Sequence, residues 1–217
     1  MEIMMRVLLK PALLAFALVA FSASVFAQPA RYIEGTHYIA LDAPVRTVDP
    51  NRIEVVEIFW YGCTHCYSFE PLIENWEANA AEDVAFVRSP GMWNAMMRTH
   101  AQLYYTSVEL GVFEETHTEI FDEILLRANY LQSEAAAKDY FMGKGVSGTD
   151  FDTAWNSFTV TSAVNRASTN MRDYGVRSTP NLIVNGKYRI VTNQAVPTQT
   201  DMLEVVDYLV EIERGSM

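Results

Sequence analysis

The longest apolar run after residue 30 is Ile53-Glu54-Val55-Val56-Glu57-Ile58-Phe59-Trp60, broken only by Glu54 and Glu57. Such continuity suits a central strand covered on both faces. Gly62 ends the run, and helical periodicity takes over across 63–80. Pro71 falls inside that helix, and its missing N–H predicts a kink. Val84-Ala85-Phe86-Val87 is apolar again. Strand, helix and strand in this order read as a βαβ unit with a parallel pair. A shorter strand is expected at 38–41, before Pro44 and Pro50 break the pattern.

From Trp93 onward the spacing is helical. One helix spans 95–110 and stops at Gly111; a second spans 114–127 and ends near Asn129. Ser133 caps a third, which runs to Met142. Thr149-Asp150-Phe151-Asp152 resembles a capping box with Asp for Glu, and opens one or two more helices that end at Tyr174-Gly175. Strands then return. Asn181 to Val184 and Lys187 to Val191 flank Asn185-Gly186, a pair that supplies the positive φ angles of a type I′ turn. An amphipathic helix over 198–213 closes the chain. The pattern is α/β: a sheet domain of 28–91 and 175–217, split by a helical insertion at 92–174.

The N-terminus reads differently. Arg6 and Lys10 precede the apolar stretch 13–21, and Ser22, Ala23, Ser24 and Val25-Phe26-Ala27 follow. That is a signal peptide spanning 1–27, with cleavage after Ala27. The apolar stretch is short for a spanning helix, which needs about 20 residues; an uncleaved anchor is the alternative. The remaining chain is expected to be exported to an oxidising compartment, where disulfides persist. Net charge is −11 overall. Glu2, Arg6 and Lys10 give the leader +1, which leaves −12 for the rest. Such acidity excludes a nucleic-acid binder, which needs clustered Lys and Arg.

The chain has two cysteines, in Cys63-Thr64-His65-Cys66 at the strand-to-helix junction. A disulfide across so short a loop removes little chain entropy and staples little. It is better suited to being made and broken. The first N–H groups of a helix lack partners, and its dipole is positive there, so Cys63 is favoured as a thiolate. His65 is a second source of positive charge or hydrogen bonding. Each tenfold gain in thiolate character is worth about 1.4 kcal/mol, or about 30 mV for a two-electron couple. It favours the reduced form, so it makes the disulfide more oxidising. Cys66, one turn deeper, is the shielded, resolving thiol. An inert staple and a zinc half-site are the bland alternatives. Zinc needs four ligands, and none of His37, His65, His100 and His117 pairs with another at ligand spacing. No metal and no cofactor beyond the cysteine pair is expected.

Phe59-Trp60-Tyr61-Gly62-Cys63-Thr64-His65-Cys66-Tyr67-Ser68-Phe69-Glu70-Pro71, with Ser178-Thr179-Pro180 downstream, closely resembles the DsbA family of periplasmic thiol oxidases. The resemblance implies a thioredoxin-like fold with an inserted helical domain. It implies that Thr179-Pro180 is a cis-proline loop that binds substrate backbone beside the cysteines. It makes Glu57 the buried acid that moves the proton of Cys66, and places Glu70 at a family acidic position that surface helix packing would also explain. The implied partners are reduced, unfolded exported proteins and a DsbB-like, quinone-linked membrane oxidase; the protein itself is expected to be a monomer. Thr64 replaces the family's usual proline, and Thr179 stands where many members have valine. Both hydroxyls are expected to face sulfur or substrate and to tune oxidising strength.

Two other functions compete. A reductase or isomerase of the same fold would differ in potential. A peptide-binding chaperone would use the groove at Thr179-Pro180 without thiol exchange. Met92, Met96 and Met97 fit either a peptide groove or the insertion's core. Trp60 and Tyr61 are expected to be partly exposed contact residues, with core packing as the alternative. His100 and His117 are expected to be structural or solvated, and Glu114-Glu115 a solvated helix start.

Overall fold

A computed structural model describes residues 31–216; the signal peptide and cleavage site read from the sequence lie outside the described residues. Five strands form one sheet in the order β1-β5-β4-β2-β3: β1 Ile39–Ala40, β2 Ile53–Phe59, β3 Val84–Pro90, β4 Asn181–Val184 and β5 Tyr188–Ile190. Strands β2 and β3 are parallel, in the register Ile53↔Val84 to Phe59↔Pro90, and the other pairs are antiparallel. Helix α1 (Thr64–Asn79) makes the crossover between β2 and β3.

Every residue of β2 is buried, as its apolar run requires. Ile53 and Val55 pack with Phe69 and Ile73 of α1 and with Met202, Val205, Val206 and Leu209 of α7 (Gln199–Arg214). Val56 and Ile58 face the opposite layer, against Met171, Tyr174 and Val176. Strand alternation therefore puts Glu57 on the α1 side. The parallel register places Arg88 of β3 beside it.

Five helices separate β3 from β4: α2 Ala95–Glu109, α3 Phe113–Leu125, α4 Glu134–Gly143, α5 Gly148–Trp155 and α6 Phe158–Asp173. Side-chain oxygens of Asn94, Ser133, Ser147 and Ser157 cap four of them by accepting from the N–H three residues on. The α5 cap is thus Ser147, not Thr149. The reason is local: the Ser147 hydroxyl accepts from the Asp150 N–H and donates to its carboxylate, which starts the helix two residues earlier. Helix α7 has a capping box, Thr198 with Asp201. Asn185 and Gly186 both have positive φ, 49° and 61°, in the β4–β5 turn. The first strand is shorter than expected, and α1 is assigned as one helix through Pro71. No helix among the described residues is long and apolar enough to cross a membrane.

Candidate active site: a thiol pair over buried charges

Cys63 is the N-cap residue of α1, with extended backbone angles of φ −102° and ψ 112°. It is half-buried, while Cys66 is fully buried. Both are free thiols, so the structure shows the dithiol form. Cys63 Sγ lies 3.5 Å from the carbonyl oxygen of Thr179, across 116 residues of sequence. The Thr179–Pro180 peptide is cis.

The two sulfurs are electrostatically unequal. A hydrogen bond from the Cys66 thiol acts most strongly on Cys63 and lowers its pKa; burial opposes it. The Thr179 side chain and the backbone N–H groups of Cys66 and His65 add to the lowering, which brings the Cys63 thiol to about 5. Burial first, and then the bond it gives to Cys63, push the Cys66 thiol far up. At neutral pH Cys63 is a thiolate held by Cys66, which keeps its proton. The helix-start N–H groups read from the sequence do contribute, but the partner thiol contributes more. His65 acts here through its backbone: its side chain is exposed, and its carbonyl oxygen accepts from Ser68 and from Gln199 Nε2, at 3.0 and 2.5 Å. Gln199, at the start of α7, was not singled out from sequence. Thr64 is exposed, and among the described residues neither its hydroxyl nor the His65 imidazole hydrogen-bonds to a sulfur.

Thr179 has the measurable role. Thr179→Val removes a side chain that stabilises the thiolate and leaves the thiol hydrogen bond intact. The expected result is a Cys63 pKa that rises but stays below that of a free cysteine, about 8.5. Alkylation of Cys63 against pH measures it.

Beneath the cysteines lies a cluster of charges that is almost wholly buried. Glu57 is 0 % exposed and Glu70 is 2 % exposed. Glu70 is therefore not a surface residue; it points inward from α1, one turn beyond Cys66. Arg88 reaches Glu70 at 3.2 Å, Glu77 at 3.4 Å and Glu57 at 3.8 Å. Burial first, and then the charge of Glu70, raise the Glu57 pKa well above the usual carboxyl range, against the pull of Arg88. Burial also pushes Glu70 up, but His117 and Arg88 outweigh it and hold Glu70 below its usual range. Arg88 gave no signal in the sequence on its own; only the β2–β3 register identifies it.

Tyr61 differs most from expectation, whereas Trp60 is partly exposed as expected. Tyr61 is 1 % exposed and Trp60 is half-buried. Each is held by a histidine of the helical insertion. The Trp60 indole N–H donates to Nδ1 of His100 on α2 at 3.0 Å, and His100 Nε2 meets the Tyr130 carbonyl at 2.8 Å. The Tyr61 hydroxyl meets Nδ1 of His117 on α3 at 2.9 Å. The correction has a physical cause. The insertion covers the strand end, so polar tips on Trp60 and Tyr61 need buried partners, and two histidines from separate helices supply them. A Cβ at Gly62 would fall on the Trp60 ring, so this position fits only glycine while that ring stays in place. Met92 and Met97 belong to the insertion's core, with Ala101, Val160 and Val164; Met96 is half-buried. Glu114 and Glu115 are exposed at the start of α3. No three His, Cys, Asp or Glu side chains among the described residues gather to hold a metal.

A thioredoxin-like sheet, a half-buried low-pKa thiol capping a helix, a second, fully buried thiol three residues on and a cis-proline loop at the first sulfur together define a thiol–disulfide oxidoreductase. Comparison with known proteins narrows the class. The family model described as DSBA-like thioredoxin domain matches residues 72–204. The thiol:disulfide interchange protein DsbA of Pseudomonas aeruginosa is 37% identical over 216 residues, 98% of this chain and 99% of that protein. The protein of the same name from Azotobacter vinelandii is 37% identical over 87% of each chain. The crystal structure of Pseudomonas aeruginosa DsbA superposes with a TM-score of 0.80 at 36% identity, covering 85% of this chain and 96% of that one. That of the Xylella fastidiosa oxidoreductase DsbA gives 0.78 at 28% identity. This chain belongs to the DsbA family.

Proposed function

We propose that the protein is a periplasmic oxidase that passes its Cys63–Cys66 disulfide to newly exported proteins. The observation that carries this reading is the asymmetry of the two thiols. A substrate thiolate attacks Cys63 Sγ, the Cys63–Cys66 bond breaks, and a mixed disulfide forms. Cys66 leaves with the electron pair. It is a poor thiolate in its apolar surroundings, so it leaves by taking up a proton. Glu57 is the acid proposed to supply it, because it is buried, its pKa is raised by that burial, and it is electrostatically linked to Cys66. The substrate's second thiolate then attacks its own sulfur in the mixed disulfide, and Cys63 departs as its stabilised thiolate. Two electrons have passed from the substrate dithiol to the protein, which a DsbB-like, quinone-linked membrane protein would reoxidise.

Gly91, Thr179 and Trp93 support the place of the substrate. A Cβ on Gly91 would lie 3.2 Å from Thr179 Cγ2 and 3.3 Å from the Trp93 ring, and Trp93 is 44% exposed. An extended substrate segment would run beside Thr179-Pro180 with an apolar side chain against Trp93. Thr64 would face the same segment. Segment 92–174 is proposed as the inserted domain whose α2 and α3 back the catalytic loop, and 1–27 as the leader that delivers a monomeric protein to the periplasm.

A redox titration against glutathione tests the oxidase reading. A midpoint above about −200 mV is expected; one below about −250 mV would favour the reductase alternative.

A further inference from the structure

His117 takes no part in the exchange just described, yet it is buried directly behind the catalytic loop. Phe59, Tyr61, Phe113 and Phe121 surround it, with ring centroids 5.4, 5.3, 4.6 and 5.4 Å from its own. Its two nitrogens have different partners. Nδ1 is 2.9 Å from the Tyr61 hydroxyl, and Nε2 is 3.3 Å from Glu70 Oε1, in electrostatic contact but not aligned as a hydrogen bond. The ionisable groups packed around it are Tyr61 from the loop after β2, Glu70 from α1, Arg88 from β3 and Tyr104 from α2, with Glu57 beyond Arg88.

The tautomer follows. A phenol can donate to or accept from Nδ1, but a bare Nε2 lone pair would face the Glu70 carboxylate oxygen at 3.3 Å, which favours the arrangement in which the Tyr61 hydroxyl donates to Nδ1. A neutral imidazole that accepts at Nδ1 carries its proton on Nε2. An imidazolium carries one there too. In either state an N–H faces Glu70.

The two buried carboxyls are unequally served. Glu70 has Arg88 Nη2 at 3.2 Å on one oxygen and His117 Nε2 at 3.3 Å on the other. Glu57 has Arg88 Nε at 3.8 Å, and neither of its oxygens has a hydrogen-bond partner. Two carboxyls that share one arginine in a low-dielectric site do not both ionise easily, and the better-served one takes the charge. We propose that His117 is a positioning residue for the redox reaction: with its tautomer fixed by Tyr61, it keeps Glu70 the charged member of the pair and leaves Glu57 holding the proton that Cys66 exchanges. The opposite pKa directions of Glu57 and Glu70 agree with this division. The inference rests on the reading of Glu57 as the proton carrier.

The test is the ultraviolet thiolate absorbance of the reduced full-length protein against pH. In His117→Leu, charge moves from Glu70 to Glu57, the carboxyl whose charge the sulfurs feel. The Cys63 thiolate should then bind its proton about tenfold more tightly. His117→Gln, which keeps an N–H near the Nε2 position, should stay within about twofold of the parent. Adding Glu57→Gln to His117→Leu should erase the change, an outcome that mere loosening of the core would not give. Should His117→Leu not fold, Tyr61→Phe serves: it frees the tautomer and should give a smaller rise, again erased by Glu57→Gln. An unchanged proton affinity in folded His117→Leu, or an equal rise with Glu57→Gln present, overturns the proposal. The Glu57 reading has its own readout, the rate at which Glu57→Gln forms the mixed disulfide. A normal rate there, with the thiolate pattern above intact, would sink the proton-carrier role and leave the division of charge standing.

Discussion

Cys63→Ser is expected to reduce disulfide transfer to a reduced, unfolded substrate to the uncatalysed background. The oxygen that replaces Sγ cannot form the Cys63–Cys66 bond, so the protein has no oxidising equivalent to give. Cys66→Ser loses turnover as well, by another route. Its Cys63 thiolate remains accessible but has no disulfide to donate and no resolving partner. Mixed with a substrate that already carries a disulfide, Cys66→Ser should accumulate a covalent adduct at Cys63, visible by non-reducing electrophoresis and removed by dithiothreitol. Cys63→Ser should form none, because Cys66 is fully buried. A Cys63→Ser protein that kept full oxidase activity would refute the mechanism. A double Cys63→Ala, Cys66→Ala variant that suppressed aggregation as well as a parent lacking thiol exchange would instead support the chaperone reading.

The second large effect is on pH dependence. Alkylation of Cys63 in the reduced protein should show a midpoint near 5, its folded pKa, against about 8.5 for an unfolded cysteine. The folded value is depressed, so folding favours the thiolate. The stabilisation is complete above the unfolded pKa and falls with pH until it is lost below about 5. The disulfide form has no such titration. The stability of the reduced form relative to the oxidised form should therefore rise between pH 5 and 8.5, and be flat below. Urea unfolding of both forms at pH 4, 6 and 8 measures it. A midpoint near 8.5 in the alkylation profile would remove the physical basis for a strong oxidant.

The two measurements also separate the sources of thiolate stabilisation. If the helix start dominated, Cys66→Ala would leave the Cys63 midpoint near 5. The structure ranks the Cys66 thiol first among the groups that lower it. Serine at that position still offers a hydrogen bond, and alanine does not, so the midpoint should rise more with alanine.

Much of the fold could be read directly from the chain. The apolar run of β2, the turn residues Asn185-Gly186 and the amphipathic period of α7 each state a local preference that tertiary packing did not oppose. The CxxC pair was equally plain, because its position at a strand-to-helix junction already favours a thiolate. Misplaced elements had local causes. The α5 cap moved from Thr149 to Ser147 because two candidate caps lie two residues apart and only side-chain geometry chooses between them. Tyr61 read as a contact residue because amphipathic aromatics suit an exposed rim as well as a buried site with one polar partner.

What the sequence by itself determined is where the two thiols lie, Cys63 and Cys66 at a strand-to-helix junction; the Thr179-Pro180 loop was expected beside them only from the resemblance to the DsbA family. Spacing and local conformation are short-range properties, and so are legible along the chain. What only the tertiary structure decided is how those groups are charged. Arg88 meets Glu57 through a parallel strand register, Glu70 turns inward from α1, and His100 and His117 arrive from two helices of the insertion to hold Trp60 and Tyr61. Those contacts join residues far apart in sequence inside a space closed to water. The low dielectric there turns ordinary side chains into one coupled system, and no local pattern encodes that.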